Sequence, residues 1–140
     1  MITRHQAGVL VALAVAFWVV AAIGLALDPG AVQPGWRGDL SFVISLPVAW
    51  LCVWLARRIA KLAPHQLITA TALVVALDTL LDAGVLRWEP QIYGGDPSGR
   101  ALSAAWLLWG YGASLIAAFV MTRLGNTGEN EGERNMMTAR

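Results

Sequence analysis

The chain has 140 residues, 57% of them apolar and only 14% charged, where an average soluble domain carries roughly 25% charged residues. Ten Lys and Arg nearly cancel nine Asp and Glu, a balance that excludes the basic footprint of a nucleic-acid partner. A water-soluble globule is disfavoured from the outset, and the single cysteine, Cys52, can close neither an intrachain disulfide nor a multi-cysteine metal site.

Four stretches, 7–27, 40–56, 67–86 and 101–121, hold only two charges between them, Asp78 and Asp82. Each approaches the roughly 20 residues that a helix needs to cross a ~30 Å hydrocarbon core at 1.5 Å per residue. Runs such as VLVALAVAFWVVAAIGLAL are apolar on every side, which a soluble bundle helix with its polar stripe is not. Strict alternation, the mark of a membrane barrel strand, is absent. The expected fold is therefore an all-α membrane protein, four transmembrane helices in an up-down bundle over residues 1–124. The first stretch is too long for a cleaved signal core and is read as a retained span. The second is the shortest and carries Pro47, where a kink is expected.

Seven basic residues, Arg4, Arg57, Arg58, Lys61, Arg123, Arg134 and Arg140, flank one side of these spans, and three, Arg37, Arg87 and Arg100, the other. The excess of Lys and Arg on the cytoplasmic side of membrane proteins places both termini in the cytoplasm. The loop RRIAKLAPHQ either sets this topology or also holds anionic lipid head groups. His65 lies in that loop and His5 precedes the first span, so no intramembrane histidine set, metal or cofactor is expected. The outer loops DPGAVQPGWRGD and RWEPQIYGGDPSGR are dense in Gly and Pro and break helices. Trp36, Trp88 and Tyr93 within them are expected at head-group level, and GGDPSG, lacking the Lys and Ser/Thr of a phosphate loop, is expected to be a turn. Beyond Leu124 the polar string GNTGENEGERNMMTAR is expected to form a disordered cytoplasmic tail, 125–140.

Asp78 and Asp82 are costly in a membrane and need compensating donors. Their i, i+4 spacing puts them on one helix face with Thr71 further inward. Counted from the outer ends of their spans, Asp82 and Asp78 lie roughly 6 and 12 Å deep, and Trp106 and Trp109 roughly 7.5 and 12 Å. The candidate intramembrane polar or proton site is accordingly Asp78, Asp82, Trp106, Trp109 and Tyr111. On a structural reading Asp82 pairs with Arg100, and Asp78 accepts from Trp109 or Tyr111, fixing helix packing. On a functional reading the face carries protons or a cation. The small residues Gly110 and Ser114, and Gly8, Ala12 and Ala16, are expected to let helices approach within one bundle, and a homodimer or larger membrane complex is also compatible with them. Trp50 and Trp54 share a face that either packs inward or meets lipid.

ALDTLLDAGVL in the third span, AWLLWGYG in the fourth and FWVVAAIG in the first resemble a bacterial family of small four-span inner-membrane proteins, a domain of unknown function. The resemblance covers most of 7–121, and its most specific pieces are Asp82 within LLDA and Trp106, Trp109, Tyr111 and Gly112 within WLLWGYG. It implies a four-helix protein of the bacterial cytoplasmic membrane and no particular activity. Without an intramembrane nucleophile and base, metal set or cysteine pair, the expected function is a non-enzymatic membrane accessory or binding protein. The alternative is a small proton-linked transporter or channel using Asp78 and Asp82.

Overall fold

The computed structural model describes residues 1–125 in full, with the last helix bounded at Pro97–Thr138; the tail expected at 125–140 lies, apart from Gly125, outside the fully described residues. The described residues form four α-helices: α1 (Arg4–Leu27), α2 (Trp36–Ile59), α3 (Leu67–Trp88) and α4 (Pro97–Thr138). Each contains a segment long and apolar enough to cross a membrane. Short 3-10 turns, Pro29–Val32, Pro64–Gln66 and Pro90–Tyr93, connect them, and no strand occurs among the described residues.

Helix ends follow local chemistry. Thr3 caps α1 by accepting from the Gln6 backbone N–H at 3.2 Å, while Gln6 Oε1 accepts from the Thr3 N–H at 3.0 Å, a reciprocal capping box. α2 exceeds its apolar stretch at both ends, because Asp39 in its first turn and Arg57 and Arg58 in its last complement the helix dipole. It closes with Lys61 in the left-handed region (φ 49°) and the Leu62 N–H donating to the Arg57 carbonyl at 3.0 Å, the Schellman arrangement. GGDPSG is not a free-standing turn. Gly94 takes φ 129°, which side chains other than hydrogen resist, and Asp96 then caps α4 by accepting from the Gly99 N–H at 2.8 Å. Pro97, with no N–H to lose, occupies the first helical position.

α2 runs continuously through Pro47. In the preceding turn the Phe42 carbonyl accepts from Ser45 Oγ at 2.7 Å and from Trp109 Nε1 on α4 at 3.1 Å. The carbonyl that Pro47 itself leaves free is that of Val43, one residue further on.

Around the bundle the order is α1, α3, α4, α2, so α4 lies between α3 and α2 while the chain neighbours α1 and α2 touch only sparingly. Two apolar clusters hold it together. At the end that carries the N-terminus and the Pro64–Gln66 turn, the inner end for short, Leu10, Ala14, Val53, Ala56, Leu67, Ala70, Ala117 and Met121 interdigitate. At the outer end Ala22, Leu25, Val32, Tyr93 and Leu107 do so. Buried positions on α3, namely Leu67, Ala70, Thr71, Val74, Asp78 and Asp82, trace a single helical face.

The small-residue readings need correction. Gly8, Ala12 and Ala16 are exposed on the outside of the bundle, and a Cβ added at Gly8 or Gly110 meets nothing within 4 Å, so neither glycine is a point of close helix approach. Trp50 and Trp54 face outward, with the Arg58 guanidinium 5.4 Å from the Trp54 ring centre.

Candidate functional site

Asp82 is 4% exposed and accepts from three neutral donors on three different elements. Trp18 Nε1 of α1 donates to Oδ1 at 2.8 Å, the Tyr93 hydroxyl donates to the same oxygen, and the Tyr111 hydroxyl of α4 donates to Oδ2. Three hydrogen bonds converging on one carboxyl group offset the desolvation cost of an intramembrane acid. The expected partner, Arg100, instead turns its Nε to the Asp96 carbonyl at 3.2 Å.

Tyr93 is the largest departure from expectation. Far from anchoring at head-group level, it is 2% exposed and tucked under the outer loops, while Ser103 Oγ donates to its carbonyl at 2.8 Å. Burial first, and the hydrogen bond to Asp82 second, push its phenol well above the usual range. Trp36 and Trp88, by contrast, are largely exposed at the outer end.

Asp78, one turn inward, is 7% exposed, and its Oδ1 has no hydrogen-bond partner among the described residues. Trp106 Nε1 is likewise buried without a partner. Both line a cavity of about 670 Å³ together with Trp18, Tyr111, Cys52 and Thr71. Tyr111 donates to Asp82, so it does not supply Asp78. Trp109, expected beside the acids, is 46% exposed and donates to Phe42 on α2. Its bearing around the helix accounts for the difference: Trp109 lies on the α2 side of α4.

Of the five sequence candidates, Asp78, Asp82, Trp106 and Tyr111 therefore gather around one hollow and its wall, and Trp109 does not. Trp18 and Tyr93 were missed. Trp18 did carry a signal: a buried indole N–H needs an acceptor, and the two acids are the only charged ones within the spans.

The three serines facing the cavity are already committed. Ser41 Oγ donates to the Gly38 carbonyl at 2.8 Å, Ser45 Oγ to Phe42, and Ser114 Oγ to the Gly110 carbonyl at 2.9 Å. Among the described residues there is no group of three or more His, Cys, Asp or Glu that could hold a metal ion.

Fold and site define a four-helix, multi-pass membrane protein by length and composition. No family model matches the chain, and no curated protein or solved structure matches it significantly.

Proposed function

We propose that this chain is a non-enzymatic binding or accessory protein of the bacterial cytoplasmic membrane, with both termini in the cytoplasm, akin to the small four-span family it resembles. The observation that carries the reading is the cavity: about 670 Å³, walled by all four helices, with two unspent hydrogen-bonding atoms, Asp78 Oδ1 and Trp106 Nε1. Small-molecule sites are mostly apolar hollows of ~300–1,000 Å³ with few, well-placed polar groups. Because the serines facing it bond backbone carbonyls, none is paired with Asp78 as a nucleophile with its base, which favours recognition over catalysis. The exposed stripe Gly8, Ala12, Ala16 offers a second copy or a partner helix a close approach. The orientation rests on the seven to three bias of Lys and Arg.

Thiol labelling of intact cells tests the topology, using His65→Cys and Gly95→Cys separately in a Cys52→Ala background. Gly95→Cys should react with an impermeant maleimide and His65→Cys should not; the reverse pattern overturns the orientation. Binding is tested by native mass spectrometry of protein released from nanodiscs. A bound small molecule retained by the wild type and lost on filling the hollow with Ala49→Phe supports the reading, and an unliganded wild type opposes it.

A second reading, a proton-linked transporter or channel, is favoured by the unpartnered Asp78 oxygen, since intramembrane acids commonly line proton paths. Proton flux in proteoliposomes that Asp78→Asn abolishes would establish it in place of the first.

A further inference from the structure

The cavity's rim indicates where its occupant comes from. Val20 on α1 is 71% exposed, and Ile44 and Val48 on α2 are 50% and 49% exposed, yet all three line the hollow. They flank the sparse contact between α1 and α2. Counted from Leu27 and Trp36, they sit roughly 10 to 18 Å inward along their helices at 1.5 Å per residue, the depth of acyl chains rather than of water or head groups. The outer end above them is roofed by the Pro29–Val32 turn, whose Ala31 and Val32 also line the cavity. The mouth thus opens sideways into the bilayer.

The two unspent atoms indicate what the occupant carries. Asp78 and Trp106 line the same hollow from α3 and α4, which pack side by side. Asp78 Oδ1 accepts, and Trp106 Nε1 can only donate. One hydroxyl answers both, donating to the first and accepting from the second. An ether or ester oxygen has no hydrogen to give Asp78 Oδ1, and an ammonium has nothing to accept from the indole N–H.

We infer that the cavity binds a long-chain alcohol drawn from the bilayer, its apolar chain in the hollow between α1 and α2 and its hydroxyl bridging Asp78 Oδ1 and Trp106 Nε1. This deepens the binding reading above and rests on it.

The test is saturable binding of tritiated hexadecanol to the full chain in nanodiscs, beside hexadecyl methyl ether and hexadecylamine. The alcohol is expected to bind at least tenfold more tightly than the ether. Asp78→Leu and Trp106→Phe, each removing one of the two partners, should weaken it at least tenfold, while Asp78→Asn, which keeps an acceptor, and Trp109→Phe, outside the hollow, should not. Equal affinity for ether and alcohol, preference for the amine with loss in Asp78→Asn, or full binding by both Asp78→Leu and Trp106→Phe would each overturn the assignment. Cys52, which lines the hollow, separates this failure from that of the binding reading. If a bilayer-partitioned alkyl maleimide reaches Cys52 and Val48→Trp at the mouth slows it, the cavity stands even when the alcohol fails. If Cys52 is not reached, the binding reading falls as well.

Discussion

Asp78 and Asp82 are separated by one turn of the same helix and are almost equally buried, yet they have opposite surroundings. Asp82 sits where α1, α4 and the Pro90–Tyr93 turn converge, each supplying one donor. Asp78 faces the hollow left where α1 and α2 separate. Residue type, helix face and burial are thus nearly the same for both, and what distinguishes them is whether neighbouring helices close over the side chain. One acid is a fastening of the fold, and the other is available to something else.

Stability measurements on paired variants give the strongest test of this contrast. Asp82→Ala leaves two phenols and an indole without their acceptor in a buried cluster, at a cost of about 3–5 kcal/mol. Asp78→Ala removes an acid with an unmade bond and is expected to change stability by under about 1 kcal/mol, in either direction. Reversible unfolding in mixed micelles reads both, and equal losses would erase the distinction.

Tyr93→Phe probes one arm of the Asp82 cluster, with an expected loss of about 1–2 kcal/mol at neutral pH. Its effect also has a pH signature. The folded-state phenol is raised above its unfolded value, so its contribution is complete below the unfolded pKa of about 10 and declines as pH rises from there toward the folded value. Wild-type stability should therefore fall on the alkaline side above about pH 10, and Tyr93→Phe should fall less steeply over that range. A variant with the wild-type alkaline slope would detach Tyr93 from the cluster.

Ser114→Ala sets the lower end of the scale. Its hydroxyl lines the cavity but returns to the Gly110 carbonyl of its own helix, so removal should stay within about 0.5 kcal/mol. A loss approaching that of Tyr93→Phe would mean that the cavity wall is braced more firmly than its hydrogen bonds indicate.

The four spans were legible because hydrophobic length is a local property: every apolar stretch lies inside a helix. Helix ends were less so. Trp36 to Asp39 and Arg57 to Ile59 belong to α2 because charges at helix termini are favourable, although hydropathy counts them as outside. The acids themselves stood out by composition. Their partners did not, since Trp18 is 64 residues from Asp82 and meets it only through the packing of α1 on α3. An order of α1, α3, α4, α2 leaves no trace in a sequence read span by span. Tyr93 was hidden for a different reason: Gly and Pro around it signal a break in the helix, not the direction in which the loop folds back.

The inner end of the molecule holds a counterpart to the Asp82 cluster. Gln6 Nε2 donates to the carbonyls of Ala60 and Lys61, each at 3.3 Å, and Gln66 ties Met1 to the same corner through a 2.7 Å bond from its own Nε2. α1 is thus tied down at Gln6 and at Trp18 and packs along α3 between them, while its side toward α2 stays open where Val20 and Val48 frame the gap. Residues that decide whether the chain folds are consequently different from those that decide the width of the opening. Substitutions at the second set can therefore alter the opening without drawing on the first.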